Sequence, residues 1–383
     1  MYNRVVIPVR RYLKGTAPMN RLLAYAKGFS QLGVEVYFYF LITDEKREKV
    51  ILNDDRIHCI YLWEQMSERW NSHRAFALIK GLLLFRKQIK KCDAVLTYGR
   101  ANYMLVTALA SNQKARVFCE ITEHPEYLGK SWLQRISIRV SLWLMKKLDG
   151  LLVISNSLKD YFINQGIKPN NVCVVNMFVD ATRFERRDKT DDEKYIAYCG
   201  SVSSKKDGVD ILIKSFAIFY ERHSDYKLYI IGGKGDDEPL SFFENLVNQL
   251  GVQDAVIFTG KVAAEELPNY LVNASILALS RPDSLQARNG FPTKLGEYLA
   301  TGNPVLVTNV GEIPLFIKHG ENGFIAEESN VDDFAKKLIW IADHYSEATL
   351  IGEKGKQLAH NEFSYLTQSK VAYTFMLNHE YEK

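Results

Sequence analysis

One short stretch of the sequence, residues 289–305, combines residue types that can bind a phosphorylated ligand. It reads NGFPTKLGEYLATGNPV, which predicts a tight glycine loop, a short helix and a glycine stop before an apolar strand. A helix N-terminus has unpaired N–H groups and a partial positive charge, so phosphates bind there readily. Pro292 presets φ at the predicted helix start, and we expect Thr293 to cap neighbouring N–H groups.

A carboxylate follows one helical turn later. Glu297 lies four residues after Thr293, so the two side chains share one face of the predicted helix. There a carboxylate can accept hydrogen bonds from the paired hydroxyls of a sugar, while the helix start and Lys294 approach attached phosphates. The layout suits a sugar nucleotide, although Glu and Lys on a helix are commonly just solvated.

Two further cations follow predicted strands. Lys206 lies between a strand that ends near Gly200 and a helix that starts near Gly208, where it can neutralise a diphosphate leaving group. Arg281 follows the strand that ends near Ser280 and offers a second charge, unless it forms an ordinary loop ion pair.

Glycine-rich loops follow two other strands. Gly15 and Thr16 precede a predicted helix, and small residues there let backbone N–H groups approach a phosphate. The GGKG sequence at 232–235, which begins with Gly232, lacks dinucleotide-motif spacing and is interpreted as a turn near the nucleotide.

The composition predicts a globular protein of two domains. The chain has 383 residues, 47% apolar and 25% charged, which is long for one core. A formal charge of +4 argues against a dedicated nucleic-acid binder. Five cysteines without CxxC spacing, no signal peptide and no apolar run of about 18 residues lead us to expect a cytoplasmic protein with reduced thiols.

Short apolar strands alternate with helical segments throughout, which is typical of parallel α/β architecture. Strands are predicted at 5–9, 34–43, 57–62, 94–97, 116–121, 150–154, 195–199, 227–231, 256–258, 276–279, 305–308 and 323–325. Helices are predicted notably at 20–32, 74–90, 132–147, 331–344 and 349–379. The charged segment 183–194 has almost no apolar periodicity and indicates a linker.

The 289–297 segment resembles the donor-site motif of the family 4 glycosyltransferases, retaining enzymes of the GT-B type. That motif has two Glu separated by seven residues, with Gly-Phe after the first; Gly290, Phe291 and Glu297 match it, and Asn289 stands in the first Glu position. The resemblance continues at 177–184, 198–210 and 258–262.

The resemblance implies two facing Rossmann-like domains with a cleft between them. The implied division is 1–185 as an acceptor-side domain, 186–365 as a donor domain, and 366–383 as a helix returning to the N-terminal domain. The implied donor-binding residues are Gly15, Thr16, Gly200, Ser201, Lys206, Gly232, Val262, Arg281, Asn289, Gly290, Phe291, Pro292, Thr293, Lys294, Leu295 and Glu297.

Two of these positions depart from the family pattern. Ser201 replaces an arginine of the phosphate site, and Arg281 is the candidate to supply its charge. Asn289 retains hydrogen-bonding capacity without the negative charge of the expected Glu. His124, Lys206, Asn289 and Glu297 are the candidate catalytic residues.

The acceptor side is expected in the first half of the chain. His124 follows a strand, where the resemblance implies contact with the donor sugar. Glu123 and Glu126 are candidates to orient the acceptor hydroxyl, and Tyr98 and Arg100 to line its site.

No Asp-x-Asp tripeptide, the usual metal-binding motif of GT-A glycosyltransferases, occurs in the sequence. We therefore expect no metal and no cofactor, with a UDP- or GDP-type sugar as donor. The predicted function is transfer of its sugar, with retention, to a glycan or lipid-linked acceptor, in surface polysaccharide synthesis. The alternatives are a nucleotide-sugar epimerase of similar fold and a non-catalytic nucleotide-sugar-binding subunit.

Peripheral contact with a membrane is a further expectation. Residues 132–147 combine apolar residues at helical spacing with four cations, and 82–91 form a second basic and apolar segment. The alternative interpretation is a helix that packs against its own sheet.

Overall fold

The chain forms two compact α/β units. The computed structural model describes residues 3–41, 43–44, 53–62, 64–65, 72–89, 93–111, 115–125, 131–185, 193–235 and 238–378. Unit 1 comprises Met1–Asn176 and Tyr365–Lys383, and unit 2 comprises Met177–Ser364. Each contains one main parallel sheet with helices, which confirms the predicted fold class.

Unit 1 contains a seven-stranded parallel sheet in the order β4-β2-β1-β6-β7-β8-β9 and a two-stranded β3-β5 sheet. Its strands are β1 (Arg4–Val9), β2 (Glu35–Phe40), β3 (Thr43–Asp44), β4 (Ile57–Tyr61), β5 (Glu64–Gln65), β6 (Ala94–Tyr98), β7 (Arg116–Ile121), β8 (Gly150–Val153) and β9 (Val172–Val174). Its first helices are α1 (Ala17–Gln31), α2 (Ser72–Ile89), α3 (Asn102–Ser111), α4 (Trp132–Met145) and α5 (Asn156–Asn164).

Unit 2 contains a six-stranded parallel sheet in the order β12-β11-β10-β13-β14-β15. Its strands are β10 (Lys194–Cys199), β11 (Tyr226–Ile231), β12 (Val256–Gly260), β13 (Ile276–Leu279), β14 (Val305–Thr308) and β15 (Phe324–Ala326). Its helices are α6 (Ser204–Asp207), α7 (Val209–Tyr220), α8 (Leu240–Gln249), α9 (Leu267–Val272), α10 (Leu285–Asn289), α11 (Thr293–Thr301), α12 (Ile313–Phe316), α13 (Val331–Asp343) and α14 (Tyr345–Glu362).

The strand order of unit 2 reverses between β10 and β13. Strands β11 and β12 follow β10 on one side, whereas β13, β14 and β15 extend on the other. In open α/β sheets, ligands bind outside the carboxyl ends of the strands at such a switch point. The loops that follow β10 and β13 therefore lie where a ligand site is expected.

The prediction of one helix over 349–379 was wrong. Helix α14 ends at Glu362, and a separate helix, α15 (Tyr365–Asn378), begins three residues later. At the break, the carbonyl of Phe363 accepts a hydrogen bond from the N–H of Val179 at 2.8 Å. The Phe363 ring packs against Phe291 and Phe316, so tertiary contacts in unit 2 interrupt the helical pattern.

Helix α15 belongs to unit 1 and packs on α1. A Cβ on Gly28 of α1 would lie 2.2 Å from Oγ of Ser369, so the close approach requires glycine there. In addition, the Gln368 side chain accepts a hydrogen bond from the N–H of Asn176 at 2.8 Å.

The chain passes from unit 1 to unit 2 at 176/177, earlier than the 185/186 division expected from sequence. The cause is that Met177, Val179 and Phe184 are buried. A Cβ on Gly296 of α11 would lie 3.0 Å from Sδ of Met177, so this segment packs directly on α11. The sequence pattern placed the boundary later because the charged residues after Phe184 were a stronger signal than these few apolar positions.

A buried ion pair joins α1 to β7 in unit 1. Nε of Arg21 lies 2.5 Å from Oε1 of Glu120, and the two side chains are 4% and 0% exposed. The other two guanidinium nitrogens donate to the carbonyls of Asn176 and Val175, each at 2.7 Å, and the Tyr25 hydroxyl donates to Glu120. Every group of this pair thus has a partner within unit 1.

Removing one member of this pair should destabilise unit 1 strongly. We expect Arg21→Met to lower the free energy of unfolding by about 3–5 kcal/mol, because Glu120 keeps a buried charge without its cation. Urea unfolding followed by circular dichroism measures the change. The matched control is Lys194→Met in the Lys194–Asp225 pair, whose side chains are 60% and 56% exposed; its expected cost is about 0–1 kcal/mol. Equal costs for the two variants would contradict the structural role of Arg21.

Candidate phosphate site in unit 2

The loops after β10 and β13 are locked together at the switch point. Gly208 has φ +67°, and a Cβ there would lie 2.0 Å from the carbonyl oxygen of Ser280. In turn, Oγ of Ser280 donates to the carbonyl of Gly208 at 2.8 Å. Both contacts fix the position of Asp207, the residue immediately before this glycine.

Asp207 is a buried carboxylate that gathers side chains from three elements. Its Oδ2 accepts hydrogen bonds from Nζ of Lys294 at 2.7 Å and from the hydroxyl of Tyr198 at 2.8 Å. Its Oδ1 lies 3.8 Å from Nε of Arg281. Burial acts to raise the pKa of Asp207, but the charges of Lys294 and Arg281 outweigh it and hold that pKa below its ordinary value. We call these four side chains the Asp207 cluster.

Arg281 has an unused hydrogen-bond donor in this cluster. Its side chain is 5% exposed, and its buried Nε has no hydrogen-bond partner among the residues that the structure describes. Burial lowers the pKa of this guanidinium, and the nearby Asp207 opposes the shift only in part. A buried cation with an unsatisfied donor is uncommon in native proteins, which makes Arg281 a candidate functional residue.

Lys294 occupies the space that a side chain at Gly200 would need. A Cβ on Gly200 would lie 2.2 Å from Nζ of Lys294 and 2.6 Å from the hydroxyl oxygen of Tyr198, so a side chain there would displace these groups. The same Nζ lies 4.7 Å from the ring centroid of Tyr198. The predicted donor residues Gly200, Lys294 and Arg281 therefore come together in the structure.

Helix α11 begins without a side-chain cap. Pro292 is its N-cap and Thr293 is its first helical residue, and no side-chain cap bond forms. The prediction that Thr293 caps the helix was wrong because proline, which has no polar side chain, takes the capping position. Leu295 donates its N–H to the carbonyl of Pro292 at 3.0 Å, and its side chain is fully buried. The side chain of Leu295 therefore packs in the hydrophobic core. The uncapped N–H groups at the start of α11 remain suited to binding an anion.

Glu297 forms an ion pair that the sequence did not reveal. Its Oε1 lies 3.3 Å from Nη1 of Arg183, with the two side chains 25% and 36% exposed. Nη2 of Arg183 also donates to the carbonyl of Ala264 at 3.2 Å. Burial raises the pKa of Glu297, while Arg183 and Lys294 oppose the shift. Because 114 residues separate the partners, no spacing pattern could have indicated the pair.

Three other predicted site residues lie outside the Asp207 cluster. The amide nitrogen of Asn289 donates to the carbonyl of Leu285 in its own helix at 2.8 Å. Lys206 on α6 and Ser201 before it have exposed side chains. Lys206 has no ion pair with any described residue.

The remaining donor candidates of unit 2 lie in or next to loops after the strands. A Cβ on Gly232, after β11, would lie 1.9 Å from the carbonyl oxygen of Gly200, so these two loops touch. Val262 follows β12 and is half-buried. Gly290 precedes Phe291, whose ring is 6% exposed and packs inside the unit, where it supports the start of α11.

In unit 1, two predicted phosphate contacts precede α1. Gly15 has φ +72°, a conformation that favours glycine. Thr16 is the N-cap of α1, but its hydroxyl donates to the carbonyl of Leu13 at 2.9 Å and caps no N–H group.

The predicted acceptor-side residues lie at or after the ends of strands β6 and β7. The Tyr98 hydroxyl lies 2.6 Å from Oγ1 of Thr122. Burial raises the pKa of Tyr98 to about 12. Burial lowers the pKa of Arg100, an effect that Glu123 opposes. These three site residues form one polar group at the strand ends.

His124 comes next in the chain and is more enclosed. Its side chain is buried, with its ring centroid 4.3 Å from that of Tyr161. Glu126 lies outside the described residues.

Across the described residues, no group of three or more His, Cys, Asp or Glu side chains could hold a metal ion. In the same part of the chain, no helix is both long and apolar enough to cross a bilayer. Cys59, Cys119, Cys173 and Cys199 are unpaired, and Cys92 is not described.

The fold defines a structural class. Two parallel-sheet, Rossmann-like units are the architecture of GT-B glycosyltransferases. The chain aligns with sucrose-phosphate synthase from Thermosynechococcus elongatus at a TM-score of 0.76, with 15% identity over 98% of both chains. It aligns with Anabaena HepE in complex with UDP at a TM-score of 0.75, with 13% identity over 98% of this chain and 100% of that one.

Sequence comparison gives the family. Residues 180–358 match the model of glycosyl transferases group 1, and residues 20–183 match that of glycosyltransferase family 4. Mannosylfructose-phosphate synthase of Agrobacterium fabrum is 29% identical over 50% of this chain and 42% of its own length. The matched region spans about two fifths of that relative. The chain belongs to the group 1, family 4 glycosyltransferases.

Neutralising Asp207 should destabilise unit 2 in a pH-dependent way. We expect Asp207→Asn to lower the free energy of unfolding at pH 7 by about 3–5 kcal/mol, because Lys294 and Arg281 lose their shared counter-charge. A lowered pKa means that the stabilisation is present above the ordinary Asp pKa and is lost as pH falls through the folded-state pKa. In urea unfolding, the difference in the free energy of unfolding between Asp207→Asn and the unmodified protein should therefore become smaller only below about pH 4.

The matched control is Asp210→Asn. Asp210 pairs with Lys214 at 3.1 Å on the same helix, with side chains 20% and 42% exposed. Its expected cost is about 0.3–0.5 kcal/mol. A cost at Asp207 no larger than at Asp210 would show that the cluster does not depend on this carboxylate.

Glu297→Gln should have the opposite effect on stability. A raised pKa means that Glu297 contributes most to stability below the ordinary Glu pKa, and that this contribution is lost as pH rises through the folded-state value. We expect the amide to raise the Tm at pH 7, with the gain vanishing below about pH 4. Thermal melts across pH test this, and a lower Tm at pH 7 would mean that the Arg183 pair outweighs burial.

Proposed function

We propose that this chain transfers a sugar from a nucleotide diphosphate sugar to a hydroxyl group of a glycan or lipid-linked acceptor, with retention of configuration. The observation that carries the proposal is the Asp207 cluster, in which Arg281 and Lys294 converge at the carboxyl ends of β10 and β13. Two cations share one carboxylate there, so the cluster has a net positive charge. That net positive charge favours a diphosphate.

In the proposed complex, the diphosphate lies at the start of α11. The uncapped N–H groups of that helix and its dipole add to the charges of Lys294 and Arg281. Arg281 supplies the positive charge that the family places at position 201, where this chain has Ser201. In this proposal, the loop after β13 provides the cation that the loop after β10 lacks.

The ribose of the donor is assigned to Glu297. This carboxylate lies about one helical turn after the start of α11, where the diphosphate is assigned. Arg183 occupies one carboxylate oxygen at 3.3 Å, which leaves the other oxygen for a ribose hydroxyl. The complex of Anabaena HepE with UDP supports a uridine nucleotide as the first donor to test.

The proposed reaction needs no dedicated protein base. The acceptor hydroxyl oxygen bonds to the anomeric carbon on the face from which the diphosphate oxygen departs, and the acceptor proton passes to that departing oxygen. Lys206, Lys294 and Arg281 stabilise the negative charge of the leaving group, without a metal. His124 and Asn289 are assigned to the transferred sugar, and the residues around Tyr98 to the acceptor.

Donor binding is the first test. Thermal shift with UDP, GDP and their sugars should show selective stabilisation of the unmodified protein. Lys294→Met should weaken nucleotide affinity about ten- to hundred-fold, since a charge-assisted hydrogen bond contributes about 1.5–3 kcal/mol. Glu297→Gln should weaken the binding of nucleoside diphosphates and leave the binding of inorganic pyrophosphate unchanged. The reason is that Glu297 is assigned to the ribose and makes no contact with phosphate in the proposed complex.

Turnover is the second test, measured as release of the nucleoside diphosphate with and without acceptor. Lys206→Met should slow it, and Lys205→Met, which removes an adjacent exposed lysine, is the matched control. We expect equal rates with and without EDTA. A new nucleotide sugar formed without acceptor would instead identify an epimerase, and binding without turnover would identify a non-catalytic subunit.

We further propose that the protein works in surface polysaccharide synthesis in the cytoplasm. There it contacts the inner face of the membrane, which carries lipid-linked acceptors. The basic and apolar helices of unit 1 support this location.

A further inference from the structure

Three neighbouring helices of unit 1 form one continuous outer surface. Helix α3 packs against α2 on one side and against α4 on the other. The contact with α4 includes a hydrogen bond of 2.7 Å from Oγ of Ser141 to Oδ1 of Asn102. The outward faces of α2, α3 and α4 therefore lie side by side.

Large apolar side chains are exposed along this surface, which we call the α2–α4 face. They are Phe76 (61%), Ile79 (57%) and Leu83 (57%) on α2, Val106 (49%) on α3, and Trp132 (68%), Leu133 (60%), Ile136 (48%), Val140 (41%) and Trp143 (57%) on α4. Large exposed apolar patches on soluble proteins mark interaction sites.

Helix α4 shows how the face is built. Its buried residues are Ile138, Ser141, Leu144 and Met145, which lie on the side toward the sheet. The exposed apolar residues share the opposite side, because they recur every three or four positions from 132 to 143. The helix is thus apolar on both sides, and packing within unit 1 uses only one of them.

Cations border the exposed apolar stripe. Arg135 and Arg139 are one turn apart and lie along one edge of it, and both are exposed. Lys147 places its Nζ 3.8 Å from the ring centroid of Trp143, and Arg86 and Lys87 add exposed charge at the end of α2.

The sign of the charge on this face is uniform. Helices α2, α3 and α4 contain 18, 10 and 14 residues, and none of these is Asp or Glu. Acidic residues make up 45 of the 383 in the whole chain, so about five would be expected in a segment of this total length. The partner of the face must therefore tolerate, or require, a purely cationic surface.

We infer that the α2–α4 face docks on an anionic lipid bilayer, with its apolar side chains in the interfacial region and its cations on lipid headgroups. Tryptophan favours the membrane interface, and basic residues are attracted to anionic headgroups. A second copy of the chain fits less well, because a symmetric contact would place like charges against each other. The inference rests on the proposed function in one respect: docking on the membrane would bring the protein close to a lipid-linked acceptor.

Vesicle co-sedimentation of the full-length protein tests this inference. We expect binding to phosphatidylcholine vesicles that contain phosphatidylglycerol, weak binding to phosphatidylcholine alone, and loss of binding at high salt. Each basic residue near an anionic surface contributes about five-fold, so R135E/R139E should weaken binding at least about thirty-fold. W132S/W143S should weaken it at least about ten-fold, because the apolar anchors are lost.

Matched controls come from exposed residues of unit 2. K336E/K354E makes the same change of charge, and L350S replaces a leucine that is 68% exposed. Both controls should bind vesicles normally. All variants should retain nucleotide-induced thermal shifts, and Lys294→Met should retain vesicle binding, so failure of docking and failure of the proposed function are distinguishable.

Two outcomes would overturn the inference. Equal binding to neutral and anionic vesicles, or none to either, would exclude an anionic bilayer as the partner. Self-association in analytical ultracentrifugation that W132S/W143S abolishes, without vesicle binding, would assign the face to a second copy of the chain.

Discussion

The candidate site depends on one interaction, the pairing of the buried Asp207 carboxylate with Lys294 and Arg281. Two cations that approach each other in a buried place repel unless an anion lies between them. Asp207 meets that condition for Lys294 and Arg281, and the tight contact between Gly208 and Ser280 fixes its position. The beginning of α11 and the loops after β10 and β13 are thereby held in one arrangement.

The buried arginines Arg21 and Arg281 differ in how the fold uses their hydrogen-bond donors. In unit 1, Arg21 directs Nε to a carboxylate and its other two nitrogens to backbone carbonyls, so its charge is fully used inside the fold. In unit 2, Arg281 is equally buried, yet its Nε has no hydrogen-bond partner among the described residues. Burial alone therefore does not predict how completely an arginine is hydrogen-bonded within the fold.

Most strands of the two main sheets were predictable because buried parallel strands are short, continuous apolar runs. Residues 116–121, 276–279 and 305–308 are strands with the predicted bounds. Strand β9 was missed, since three residues carry too little pattern. The break near Phe363 was missed because it is set by Phe291, Phe316 and Val179, all remote in sequence.

The sequence by itself determined the alternating architecture, the family and the segment around α11, because these depend on local patterns of apolar residues, glycines and prolines. Only the tertiary structure decided which charges meet. Asp207 and Lys294 are 87 residues apart, and Arg183 and Glu297 are 114 apart. Strand order brings such residues together, and strand order arises from crossover connections and sheet pairing rather than from local sequence.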